Sequence, residues 1–305
     1  MDAVEIFSII STMKVQEKRY LSKDYLHDFR DQVEYRHRIT CELDPSKPVD
    51  KEFRFCMVGW CYKIVDFCKF NRDTVAISVN YLDRFLSSVE GMTAMKDRKQ
   101  FKLAAITCLY TAIKTHEVEA IDLSFISELS KGIYTEEQVC VMERKIIMAL
   151  QWRLNPPTPC SFTRYFLTLI PNRTMSKNEK SVAMQLVKYQ TESAVGEYNF
   201  LSYDASCIAL ASLANAIQAT KRGYIQHILL TISMIADIDI ESQVFMNCRD
   251  SLLITLNKTH YHHQSKATQK SSKVNTNKRP KVAVQYSPRG VNTFPNSIAT
   301  KFILS

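Results

Sequence analysis

Proline is absent from Val49 to Asn155 and again from Asn172 to Lys278. Proline interrupts a helix because it lacks the amide hydrogen, so two tracts without it leave room for long helices. Only 6 of the 305 residues are glycine, too few for the tight turns of a sheet protein. An all-α fold follows. Between the tracts, Asn155-Pro156-Pro157-Thr158-Pro159 stops any helix and restricts the residue before each proline, which marks a boundary between two units.

Apolar periodicity places helices within each unit. Residues 3–20, with Val4, Ile6, Phe7, Ile10 and Met13 at helical spacing, predict an amphipathic helix, followed by a polar passage through Asp44-Pro45-Ser46-Lys47-Pro48. The first unit reads as five helices at roughly 49–69, 73–88, 95–114, 121–130 and 136–150. The last is announced by Thr135-Glu136-Glu137-Gln138, which has the Thr-x-x-Gln form of a capping box. The second unit reads as five more at roughly 160–170, 176–197, 203–220, 222–236 and 239–257. Many small residues from Asp204 to Leu213 suit a helix at the centre of that bundle. The expected organisation is an N-terminal helix and linker (1–48), a first bundle (49–155), a second bundle (156–260) and a disordered basic tail (261–305), which has too little apolar surface to offset the entropy of ordering.

The net charge of +9 is concentrated in that tail. Residues 261–305 hold eight Lys/Arg and no Asp/Glu, so the other 260 carry 32 basic against 31 acidic side chains. A nearly neutral body argues against a folded face that grips nucleic acid. The nine cysteines are scattered, odd in number and without a Cys-x-x-Cys pair, as expected of small core residues in a reducing compartment. Asp2 and Glu5 stand where a secretory signal would be basic and then apolar, and no 18-residue apolar run occurs, so a soluble intracellular protein is expected. There is no glycine-rich phosphate loop, no His-Glu-x-x-His and no Gly-x-Ser-x-Gly. His260, His262 and His263 read as solvated residues past a helix end rather than metal ligands. Asn172-Arg173-Thr174 matches a glycosylation acceptor in the wrong compartment. No enzyme, cofactor or metal is expected.

Two apolar runs are each broken by charge. Asn80-Tyr81-Leu82-Asp83-Arg84-Phe85-Leu86 carries Asp83, and Phe53-Arg54-Phe55-Cys56-Met57-Val58-Gly59-Trp60 carries Arg54. A buried ion costs several kcal/mol unless paired, so Arg54 and Asp83 are expected to clamp two helices together. At these residues the chain resembles the cyclins, whose first box has an arginine and an aspartate in such runs. Leu103, Lys114 in Ala112-Ile113-Lys114 and Glu143 in Met142-Glu143-Arg144 match the same pattern in order. The resemblance covers about residues 3–260 and implies two tandem five-helix cyclin boxes.

It further implies a regulatory subunit that binds a cyclin-dependent kinase. Lys114 and Glu143 match the family's pair at the kinase-facing surface, and Thr115, Glu117, Ile147, Trp152 and Leu154 match other contact positions. Trp152 has an alternative reading as a plug in the interdomain core. Phe53, Cys56, Met57 and Trp60 match the walls of the family's docking groove for Arg-x-Leu motifs in kinase substrates. The acidic residue and glutamine that complete that groove are replaced here by Lys63 and Lys102, so weak recognition of basic motifs is expected.

In the tail, Lys278-Arg279-Pro280-Lys281 reads as a nuclear import signal, with an import receptor as partner, and Ser287-Pro288-Arg289 as a proline-directed phosphorylation site. Leu150-Gln151-Trp152-Arg153-Leu154 and Thr158-Pro159-Cys160-Ser161-Phe162 look like D-type cyclins, which suggests control of entry into the cell cycle. Ile39-Thr40-Cys41-Glu42-Leu43 is only a near miss to the Leu-x-Cys-x-Glu motif of many of them. A mitotic cyclin is the alternative, although the one full Arg-x-x-Leu-x-x-x-x-Asn match, Arg249 to Asn257, falls in a predicted helix. A cyclin-fold transcription factor holding DNA and a helical scaffold without a kinase are the readings from other classes.

Overall fold

The structure, a computed structural model, describes residues 2–26, 49–119, 121–130, 132–219 and 226–270, without the side chains of Ala3, Gln226 and residues 257–270. Cys41 and the near-miss motif at 39–43, the side chains of His260, His262 and His263, and Lys278, Arg279, Lys281 and Ser287 lie outside what is described. Among the described residues there are twelve α-helices and no strand: α1 (Ala3–Glu17), α2 (Lys51–Phe67), α3 (Asp73–Leu86), α4 (Met92–Lys96), α5 (Arg98–His116), α6 (Leu123–Leu129), α7 (Glu136–Ala149), α8 (Pro159–Leu169), α9 (Lys177–Gly196), α10 (Ala205–Ala219), α11 (Gln226–Ile235) and α12 (Gln243–Lys270). No helix among them is long and apolar enough to cross a membrane.

The chain divides into two compact units. One holds Gln16–Thr158 and Val195–Ser202; the other holds Met1–Val15, Pro159–Ala194 and the chain from Tyr203. In the first, α5 is the central rod and packs most extensively on α3, then on α7 and α4. Phe101, Ala104, Ala112 and Ile113 of α5 are fully enclosed, beside Tyr81 and Phe85 of α3. The expected capping box is present: the Thr135 hydroxyl accepts from the Gln138 amide, the Gln138 side chain accepts from the Thr135 amide, and α7 starts at Glu136.

The short α4 was not read from the sequence. Five residues are too few for a periodic signal, and the turn before it needs Gly91, where a Cβ would lie 2.0 Å from the Phe85 carbonyl oxygen.

In the second unit α10 is central and packs on α12 and α8. Its small residues, from Ser206 to Ile217, are buried. Polar groups bridge the layers: the Gln190 amide donates to the Ser212 carbonyl at 2.9 Å, Asn215 donates to Gln190 at 3.1 Å, and Arg249 donates to Asn215 at 2.9 Å. Such buried amides are tolerated because each finds a partner. Ile6 and Ile10 of α1 are buried, and Lys14 donates to the Ser206 hydroxyl at 3.1 Å.

One boundary differs from the sequence reading. Disorder was expected from residue 261, yet α12 runs unbroken to Lys270. The stretch 258–270 contains no glycine or proline, and a helix can continue without an apolar stripe when nothing breaks it. At the other end α12 begins at Gln243 rather than near 239, because the Ser242 hydroxyl accepts from the Phe245 amide and the Asp239 carboxylate turns the chain by accepting from Glu241.

Candidate functional site

The last turn of α5 and the middle of α7 bring Lys114 and Glu143 together, Nζ to Oε1 at 2.6 Å. A lysine in the last turn of a helix is favoured by the helix dipole. The Lys114 side chain is 41% exposed and that of Glu143 only 15%, so the pair sits at a rim with the carboxylate on the inner side. The Thr111 hydroxyl donates to the same Oε1 at 2.9 Å and fixes the carboxylate from α5. Lys114 also lies over the Tyr110 ring at 5.1 Å from its centroid. Burial pushes the Tyr110 phenol above its usual range; Lys114 pulls it down and Glu143 pushes it up.

Going round α7, the partly exposed Glu143 and Ile147 are followed by exposed Arg144 and then by Met148 and Val141, 63% and 48% exposed. The charged pair therefore borders an apolar stripe. Met148 and Val141 were not singled out from the sequence. An exposed apolar position has no pattern of its own until the buried face of its helix is known.

Trp152 does not fill a core: it is 71% exposed. Gln151 and Trp152 both have left-handed backbones, at φ 53° and 60°, and the Trp152 amide donates to the Ile147 carbonyl at 3.1 Å as α7 ends. Three side chains pin this turn. Arg84 donates to the carbonyls of Arg153 and Leu150, at 2.8 and 3.2 Å, and the Tyr81 hydroxyl donates to the Leu154 carbonyl, which also lies 2.8 Å from Nε2 of His116. The half-buried Leu154 thus contributes its backbone to the fold.

Two other residues matched to the contact surface have structural duties. Thr115 donates back to the Thr111 carbonyl at 2.7 Å. Glu117 accepts from the Asn71 amide at 3.0 Å and from the Thr74 hydroxyl, so its negative charge sits at the N-terminus of α3, where the dipole favours it.

Behind the site, Arg54 and Asp83 form a buried two-point pair, with 2.9 Å from Nε to Oδ1 and 2.7 Å from Nη2 to Oδ2. Their side chains are 4% and 5% exposed. Arg54 also donates to the Val195 and Gly196 carbonyls, and the Tyr25 hydroxyl donates to Asp83 at 2.7 Å. Burial disfavours the Arg54 charge, but Asp83 outweighs it and holds the guanidinium above its ordinary range. Tyr25 and Tyr198, which packs edge-on against it at 5.3 Å, gave no sequence signal because both reach the pair over long separations.

On α2, Phe53 and Met57 are buried, while Cys56, Trp60 and Lys63 are half-exposed. The first-turn Arg98 of α5 lies over the Phe53 ring at 4.5 Å and Lys102 at 6.0 Å. Burial lowers the affinity of both Lys63 and Lys102 for their protons; Arg98 lowers that of Lys102 further, whereas Cys56 acts the other way on Lys63. Among the described residues no cluster of His, Cys, Asp and Glu suits a metal ion.

Residues 8–155 match the family model of the cyclin N-terminal domain and residues 157–288 that of the cyclin C-terminal domain. Among curated relatives, Cyclin-A2-1 of Arabidopsis thaliana is 26% identical over 185 residues, covering 60% of this chain and 40% of that protein. Cyclin-D4-2 of the same plant is 28% identical over 219 residues, covering 69% of this chain and 68% of that protein. Across the A-type relatives from Arabidopsis and rice the match covers between 34% and 40% of the relative's length. A viral cyclin from herpesvirus saimiri shares the fold, with a TM-score of 0.53 at 16% identity, over 69% of this chain and 87% of that one. With both family domains matched in order on an all-α body, this chain belongs to the cyclin family.

Proposed function

We propose that the chain is a regulatory subunit that binds a cyclin-dependent protein kinase and activates it, doing no chemistry of its own. The observation that carries this reading is the Lys114–Glu143 pair, held at an exposed rim by Thr111 and bordered by Ile147, Met148 and Trp152. Charged hydrogen-bonding groups beside apolar anchors are what a protein interface concentrates its energy in. A kinase is active when the glutamate of its C helix pairs with the lysine that holds the ATP phosphates. A partner that binds better when that helix is in place shifts the kinase population toward the active state.

The D-type-like segments around Trp152 and Cys160, and the Cyclin-D4-2 match over two thirds of both chains, support action at G1 or its exit. The matches to A-type cyclins and to a G2/mitotic-specific cyclin of Antirrhinum majus support the second reading, a mitotic role. The basic run at Lys278, Arg279 and Lys281 supports action in the nucleus, and Ser287 is a site the partner kinase can modify.

The test is capture of the wild type and of a Lys114→Ala/Glu143→Ala variant from synchronised cells, with assay of co-purified kinase activity. Activity with the wild type and not with a folded variant is expected, and the phase of its peak separates G1 from mitotic action. A folded wild type that captures no kinase at any phase overturns the proposal.

A further inference from the structure

On α2, the residues that remain partly in solvent form one stripe. Cys56, Trp60 and Lys63 recur at intervals of four and three, so they lie above one another on the helix, next to the buried Phe53 and Met57. At the Phe53 end, Lys102 approaches the same ring that Arg98 covers. Lys63 stands at the other end, ten residues or about 15 Å along the helix. Arg98 is paired with Asp50 at 2.9 Å and is thereby neutralised. Lys102 has no carboxylate partner among the described residues, and Lys99, one turn before it on α5, is exposed. Glu52 is the acid on this face of α2, exposed in the first turn.

A half-buried lysine is held at a cost, because apolar neighbours and lost water disfavour its charge. Both lysines show this in the direction of their proton affinity, with burial as the largest cause. A carboxylate brought to each would remove that penalty, whereas an incoming arginine or lysine would add to it. The half-exposed Trp60 and Cys56 between them supply an apolar seat.

We infer that this stripe binds an extended acidic peptide, with one carboxylate on Lys102, an apolar side chain over Trp60 and Cys56, and a second carboxylate on Lys63. An extended chain advances about 3.3 Å per residue, so 15 Å sets the two acids four or five residues apart with the apolar residue between them. Such a segment on another protein is the occupant; a basic peptide is the one excluded. The inference rests on the stripe alone and stands whether or not the kinase reading holds.

The test uses the purified full chain and fluorescein-labelled peptides of the pattern Glu-Ala-Leu-Ala-Glu, with Lys-Ala-Leu-Ala-Lys and Gln-Ala-Leu-Ala-Gln as controls, read by anisotropy at low and high salt. Saturable binding of the acidic peptide alone, weakened by salt, is expected. Lys63→Glu/Lys102→Gln, confirmed as folded by circular dichroism, should weaken it roughly tenfold, from the loss of two part-buried ion pairs. Trp60 fluorescence, isolated by Trp152→Phe, should change on binding. Equal binding of all three peptides, no binding of the acidic one by the folded wild type, or acidic-peptide binding indifferent to the lysine substitutions would each overturn the inference.

Discussion

Arg54 grips Asp83 at two points, and the same carboxylate accepts from Tyr25 at 2.7 Å while the same guanidinium reaches the Val195 and Gly196 carbonyls. One buried pair therefore ties α2 and α3 to the segment after α1 and to the end of α9.

Removing one member leaves the other charged and buried. Arg54→Ala and Asp83→Ala should each cost about 3–5 kcal/mol in urea unfolding. Arg54→Met/Asp83→Leu should recover only part of that loss, since Tyr25 and the two carbonyls still lack their partners. Single variants unfolding within 1 kcal/mol of wild type would show that the pair is not fully desolvated.

Alkali should unfold the first unit in a defined window. Burial holds the Tyr25, Tyr81 and Tyr198 phenols above their ordinary range and pushes Tyr134 to about 12; Asp83 raises Tyr25 further. The Cys61 thiol is likewise pushed to about 12 by burial. These groups stay protonated when folded but ionise near pH 9–10 when unfolded. Their contribution is therefore complete below that range and is lost as pH rises through the folded values. Urea midpoints measured from pH 7 to 12 should be level to about pH 9 and then fall. Tyr25→Phe should make the fall shallower. A midpoint unchanged at pH 11 would contradict this.

Trp152 separates binding from stability. Its ring is exposed and its backbone is left-handed, a conformation that costs a non-glycine residue about 1–2 kcal/mol. Trp152→Gly should leave the urea midpoint unchanged or higher while weakening capture of kinase activity. Lower stability with undiminished capture would reverse the assignment of this residue.

Gly91 is required for space. An added methyl would meet the Phe85 carbonyl at 2.0 Å and the Leu86 Cα at 2.9 Å, both of them backbone atoms that cannot rotate away. Gly91→Ala should lower stability by about 1–3 kcal/mol. Gly132→Ala, where no atom lies within 4 Å but φ is +72°, should act through backbone strain alone. Comparing the two by thermal unfolding, with the second unit's Gly196→Ala as reference for a yielding side-chain contact at Phe55, checks the ranking.

The sequence exposed whatever is local. The proline-free tracts predicted the helices, and Thr135 with Gln138 announced the start of α7. Two charges interrupting apolar runs pointed to the Arg54–Asp83 pair. What it hid depends on distant chain. Tyr25 reaches Asp83 across 58 residues and Thr111 reaches Glu143 across 32, and nothing in either neighbourhood anticipates the meeting. Glu117 was read as a contact residue, yet its carboxylate caps α3, 43 residues before it. Left-handed Gln151 and Trp152 carry none of the glycine or asparagine that ordinarily announces such a turn, so the exposure of the tryptophan was not legible.

The long α12 acts as a spacer. The Thr255 side chain is buried in the bundle, and the helix continues to Lys270, fifteen residues or about 22 Å along its axis. The basic run at Lys278, Arg279 and Lys281 is therefore attached at the end of a stiff arm, set off from the Leu252–Thr255 layer by more than the width of a helix.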